Sequence, residues 1–122
     1  EKIYRPIDFF ASSYTKDNLQ RYAFEPNMKR YWQACGDKQW IMVDIGEEKE
    51  FSKMLISAIC DDKPMEFEML VSCDRMNFEK VYEAAAQYKI NQLNVGKISA
   101  RYVKICCKNG GTNTVNILML AK

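Results

Sequence analysis

Residues 40–46 read Trp-Ile-Met-Val-Asp-Ile-Gly, and the fold class turns on this stretch. A short run of β-branched and aromatic side chains closed by a glycine suits a strand better than a helix. Trp40, Val43 and Ile45 are expected to face a core. Asp44 sits among apolar residues, where an unpaired carboxylate is expensive. Arg101, also set among apolar residues, is its expected partner. Working outward, residues 54–60 (MLISAIC) stop at the polar turn Asp61-Asp62-Lys63-Pro64. Residues 66–72 (EFEMLVS) alternate, with Phe67, Met69 and Val71 on one face. Residues 101–107 (RYVKICC) precede the turn Asn109-Gly110-Gly111-Thr112, and residues 114–120 (TVNILML) place Val115, Ile117 and Met119 on one face. Short strands separated by turn signals predict an all-β sandwich or barrel. Residues 77–93 carry good helix formers near helical spacing. Helix and strand are evenly matched there, and the neighbouring strands decide for strand. The first 39 residues are aromatic and irregular, which predicts a long structured loop region feeding the sandwich.

The chain has 122 residues and a net charge of +2, which predicts one domain over residues 1–122. The slight charge does not give the basic footprint of a nucleic-acid binder. No histidine is present, so Ser-His-Asp and Cys-His chemistry cannot be run by this chain. Carboxylate pairs such as Asp61 with Asp62, Glu47 with Glu48 and Glu66 with Glu68 are read as turn or solvated-face residues. The five cysteines, Cys35, Cys60, Cys73, Cys106 and Cys107, are irregularly spaced without a C-x-x-C pair, so zinc is not expected. They are read as buried free thiols that pack as small hydrophobes. No stretch of about 20 apolar residues is present to span a membrane. The sequence opens Glu-Lys without a signal-peptide pattern, which we read as a domain of a larger multidomain chain.

Four pieces then occur in one order: ASSY at 11–14, the span from Trp32 through WIMVDIG to Gly46, FEMLVSCDRMNFEKV at 67–81, and ARYVKI at 100–105. Together they resemble the coagulation factor 5/8 type C, or discoidin, domain family, which overlaps the family 32 carbohydrate-binding modules. The resemblance implies an antiparallel β-sandwich of the galactose-binding-domain-like jelly-roll kind. In that pattern Phe78 occupies a core aromatic position, and Ser72 and Asp74 are turn formers. The family's calcium stretch, A-x-D-G-N-x-x-T, is altered: its Asp becomes Glu25, its Gly becomes Pro26 and its Thr becomes Arg30, while Asn27 is kept. Asn116 stands where a glutamate is usual. Glu25 and Asn27 are therefore weak calcium candidates, no cofactor is expected, and Arg30 is a candidate to replace the ion's charge.

The resemblance places ligand loops at one end of the sandwich, about residues 14–31, 61–65 and 109–114. An aromatic platform beside planar polar groups is what a sugar site needs. The candidates are Tyr14, Arg21, Tyr22, Phe24, Arg30, Tyr31, Asp61, Asp62, Asn109 and Asn113. The implied function is a non-catalytic carbohydrate-binding module of a secreted or surface bacterial protein. The alternative is an intracellular protein-interaction module, which the five unpaired cysteines would suit and which predicts an exposed patch on a sheet face. Neither nucleic acid nor membrane insertion is expected.

Overall fold

The computed structural model describes residues 3–24, 30–36, 38–60, 63–108 and 114–122. Within them the strands are β1 (Ile3–Tyr4), β2 (Asp8–Ala11), β3 (Trp32–Gln33), β4 (Trp40–Ala58), β5 (Met65–Ser72), β6 (Glu79–Ala86), β7 (Asn91–Cys107) and β8 (Thr114–Ala121), with a 3-10 turn at Gln20–Phe24. Every strand pair is antiparallel.

The long pair β4 and β7 organises the rest. It runs from Trp40 opposite Cys106 to Ile56 opposite Asn91. The register slips between Asp44 and Lys49 and again between Phe51 and Lys53. At the first slip Gly46 takes φ +94°, which glycine tolerates because it has no Cβ. Such irregularities bend a ribbon, and here they fold it over. The first half of β4 pairs with β2, and the second half of β7 pairs with β5, which pairs with β6. The second half of β4 pairs with β8, which carries β1 and β3. The result is two layers joined by strands that switch sheets at bulges, the corner device of a β-sandwich. The stretches 40–45 and 54–60, expected as separate strands, are the two halves of β4.

Because the ribbon folds back, both its ends reach the same end of the sandwich. There the Cys107 amide donates to the Gln39 carbonyl at 2.9 Å, Ala58 to Gln87 at 3.0 Å, and Ile59 to Thr114 at 3.0 Å. Gln33 pairs with Thr114, and Thr15 donates to Gln33 at 2.8 Å. These bonds set Thr15, Gln33, Thr114, Ala58–Ile59 and Gln87 side by side as a hydrogen-bonded rim.

The core lies between the layers. Ile41, Val43 and Ile45 of β4, Phe67 and Met69 of β5, Val103 and Ile105 of β7, and Leu118 and Leu120 of β8 are buried in one cluster with Trp32 and Phe51. The alternation of β5 holds as expected. Trp40 does not face this core. Its parity matches Met42 and Asp44, so its ring lies on the outer face, with the Lys104 ammonium 4.7 Å from its centroid. Phe78, also expected inside, is half-buried on that face, its centroid 4.5 Å from the same ammonium. The expected face Val115, Ile117 and Met119 is split. Ser57 pairs with Ile117 but Ala58 pairs with Val115, so Asn116 is an extra residue and shifts the phase. Val115, Leu118 and Leu120 therefore join the core cluster.

Residues 77–93 hold no helix. They form β6, a turn, and the start of β7. β6 is an edge strand with one partner, and pairing with β5 outweighs the helix propensity of its alanines, lysine and glutamates. The first 39 residues contain three short strands and the 3-10 turn in place of a loop alone. All five cysteines are free, but Cys35 and Cys73 are exposed, and only Cys107 is fully buried.

Candidate functional site

The loop end is built on Trp32, which is completely buried. Its indole N–H donates to the Ser13 carbonyl at 2.8 Å. The Ser12 and Ser13 hydroxyls each donate to Gln39 Oε1 at 2.8 Å, and the Ser13 hydroxyl accepts the Cys35 amide at 2.9 Å. Ser12 Oγ also accepts the Trp40 amide at 2.9 Å. The two serines of the ASSY motif thus clamp the first loop to the strand that follows. Beyond them Tyr14 stands out from the rim, 50% exposed. Thr15 and Asn18 close the next turn, the Asn18 carboxamide donating to Thr15 Oγ1 at 2.9 Å. A ring held this way loses little freedom on binding a flat ligand.

The 3-10 turn runs down the flank from this end. Arg21 and Arg30 place their guanidinium carbons 5.5 Å and 5.0 Å from the Tyr22 ring centroid. The structure therefore brings Arg21, Tyr22 and Arg30 into one cluster of two cations on an aromatic ring. Both arginines are exposed, and Tyr22 and Tyr31 are half-buried. Phe24 turns inward: it stacks on Phe9 at 4.8 Å between centroids and packs on the core, so its ring anchors the turn. Asp61, Asp62, Asn109 and Asn113 lie outside the described residues, as do Glu25 and Asn27. Asn116 is wholly buried in the β8 irregularity. Among the described residues no three acidic, cysteine or histidine side chains converge as a hard-cation site would require.

One exposed aromatic was not singled out from sequence. Tyr88 and Ile90, 56% and 54% exposed, project from the β6–β7 turn beside Gln87, on the rim. The available signal was the break in alternation after the alanine run 84–86, which the helical character of 77–93 masked.

Two other features of the described surface are apolar or cation-capped. An apolar cavity of ≈ 540 Å³ between the layer edges is lined by Phe9, Phe24, Val43, Ile45, Leu118 and Leu120 among others, with Arg5 the one charged residue among the described lining. On the outer face of the β2–β4–β7–β5–β6 layer, aromatic rings carry cations: Lys104 lies by Trp40 and Phe78, and the Arg75 guanidinium lies 4.0 Å from the Phe10 centroid.

Scaffold charges sit at the opposite end. Asp44, 6% exposed, accepts Arg101 Nε at 2.9 Å and Nη2 at 3.0 Å, a two-point pair. It also accepts the Gly46 amide at 2.8 Å. Arg101's hydrogen bonds hold the Asp44 carboxyl below its ordinary value against the opposing effect of burial. Asp74 accepts the amides of Asn77 and Met76, the Asn77 carboxamide and the Ser72 hydroxyl, which hold it low as well. Ser72 and Asp74 are thus turn formers, as expected, and Asp44 pairs with Arg101.

Residues 9–120 match the family model described as F5/8 type C domain. No curated protein matches the chain by sequence. Among solved structures, the chain is similar to the CBM32 of AlyQ in complex with 4,5-unsaturated mannuronic acid, at 18% identity and a TM-score of 0.88, over 98% of each chain. It is similar to a pectin-binding carbohydrate-binding module at 16% identity and a TM-score of 0.87, over 98% of this chain and 92% of that one. A third is CpGH89CBM32-5 from Clostridium perfringens in complex with GalNAc-beta-1,3-galactose, at 21% identity and a TM-score of 0.84, over 94% of each. At these identities the likeness speaks to a shared sandwich fold. With the family model spanning nearly its whole length, the chain belongs to the F5/8 type C domain family.

Proposed function

We propose that this domain is a non-catalytic carbohydrate-binding module that holds glycans at the loop end of the sandwich, with carboxylated sugars its preferred class. One observation carries the reading: Arg21 and Arg30 gather on Tyr22, on the flank of the loop end from which Tyr14 projects. An aromatic face packs on the C–H side of a sugar ring. Guanidinium groups read carboxylates by paired hydrogen bonds. Two modules of similar fold, one in complex with 4,5-unsaturated mannuronic acid and one described as pectin-binding, suit that class. We place the domain in a larger secreted or surface bacterial chain, where it would keep its neighbours near glycan. The second reading, a protein-interaction module, would use an exposed apolar or charged patch on a sheet face, and the outer face, where Lys104 and Arg75 lie on aromatic rings, is the surface it would use.

The test is a titration of the domain by isothermal calorimetry with galacturonate and mannuronate oligosaccharides, and with galactose as the neutral control. Saturable binding of an acidic chain, weakened by Arg21→Ala with Arg30→Ala and by Tyr14→Ala, is the expected result. Binding of galactose with no response to the arginine pair overturns the preference for acid. Silence toward every sugar overturns the glycan reading.

A further inference from the structure

We propose that Tyr88 is a second sugar-stacking station, so that the domain takes an extended oligosaccharide and not a single terminal sugar. This rests on the glycan reading above and concerns a different element, the β6–β7 turn. Tyr88 and Ile90 are more than half exposed, yet the turn that carries them is fixed. The Lys89 amide donates to the Gln87 carbonyl at 2.8 Å, and the Ala58 amide donates to that same carbonyl at 3.0 Å. The Asn91 carboxamide donates to the Lys89 carbonyl at 3.2 Å. A large ring held in water by a hydrogen-bonded turn is preorganised for a ligand and pays little entropy on contact. Its neighbours are Gln87 and Asn91, whose planar amides are the donors and acceptors that read hydroxyls. The apolar surface here is two side chains, small for a protein partner but fitted to one sugar face.

The spacing sets the ligand's length. From Thr15, next to Tyr14, the rim steps through Gln33, Thr114 and the Ala58–Ile59 pair to Gln87, next to Tyr88. Four interstrand steps of about 4.8 Å separate the two tyrosines by about 19 Å along the rim. One sugar ring cannot touch both, whereas a chain of several can, and two stations on one chain act as linked sites.

The experiment measures binding of galacturonic acid and of oligogalacturonides from dimer to hexamer by calorimetry, using the wild-type domain, Tyr14→Ala, Tyr88→Ala and Tyr88→Phe. The wild type should gain about tenfold in affinity between monomer and hexamer. Tyr88→Ala should erase that gain without changing the melting temperature, and Tyr88→Phe should keep it. Binding independent of chain length, or a Tyr88→Ala titration that matches wild type for the hexamer, overturns this inference and leaves the glycan reading standing. If the galacturonides give no heat, the same series is run with mannuronate oligomers, and silence toward both series and galactose overturns both readings.

Discussion

The clamp on the first loop makes Trp32→Phe an informative perturbation. Trp32 is fully buried, and its indole N–H donates to the Ser13 carbonyl at 2.8 Å. Phenylalanine keeps the six-membered ring and loses the pyrrole edge. That edge is roughly 40 Å² of apolar surface, worth about 1 kcal/mol at ~25 cal/mol per Å². The lost hydrogen bond is worth about 1 kcal/mol more, toward the low end because Ser13 is only half-buried and water can reach its carbonyl. The expected loss is about 2 kcal/mol, or a melting temperature lower by roughly 6–10 °C for a domain of this size. Urea unfolding supplies the free energy, and hydrogen exchange of the Thr15 amide supplies the local effect. The Thr15 amide, which donates to the Gln33 carbonyl at 2.8 Å, should exchange faster while the β5 and β7 amides change little, because the indole supports the loop from the core beside the Ser12 and Ser13 bonds to Gln39. Ile105→Val is the control: it also thins the core, by about 1 kcal/mol, but should leave the Tyr14 loop alone. A Trp32→Phe domain within about 0.5 kcal/mol of wild type, roughly the resolution of a denaturant extrapolation, would refute the anchoring role.

Acid should expose the Asp44–Arg101 pair. Arg101's hydrogen bonds depress the Asp44 carboxyl, so its contribution is full above the ordinary carboxylate range and is lost as pH falls through the lowered folded value. Urea midpoints should therefore hold from neutral pH to about pH 4 and drop below it, with Asp44→Asn giving a lower plateau and a shallower acid limb. Thiol labelling should follow burial: the exposed Cys35 and Cys73 alkylate in the native protein, with Cys73 slowed because local desolvation and the neighbouring Glu48 raise its pKa. Cys107, which burial pushes up to about 12, should be labelled only after unfolding, as peptide mass spectrometry will read. Lys38 holds φ at 55°, a left-handed conformation that costs a side chain about 1 kcal/mol. Lys38→Gly should raise stability by about 0.5 kcal/mol after glycine's entropic cost, seen as a higher urea midpoint.

Much of the fold was legible because its signals are local. The alternation of Phe67, Met69 and Val71 needs only its own strand, and it faces the core as read. The Asp44–Arg101 pair was legible from the cost of a lone carboxylate among apolar residues. The turn at Ser72 and Asp74 was legible from side chains that bond their own backbone. Two of the failed readings turned on a distant partner, and one on parity within its own strand. The extra residue at Asn116 shows only against β4, so the face of β8 could not be counted from β8 alone. Trp40 looked like core because it is large and apolar, but the phase of Ile41, Val43 and Ile45 put it outside under Lys104. Residues 79–86 read as well for helix as for strand, and the pairing with β5 decided.

The candidate site divides the same way. Sequence by itself determined an all-β sandwich or barrel, narrowed to a sandwich by the ordered motifs that resemble the family, and a loop region rich in tyrosine and arginine, because composition and short-range pattern carry those. Only the tertiary structure decided that Phe24 points inward while Tyr14 points out, that Arg21 and Arg30 meet on Tyr22, and that Tyr88 shares a rim with residues more than 50 positions away. Each of those depends on the fold-over of the β4–β7 ribbon. Nothing local specifies which ends that bend brings together, because its register is set by hydrogen bonds between strands far apart in the chain.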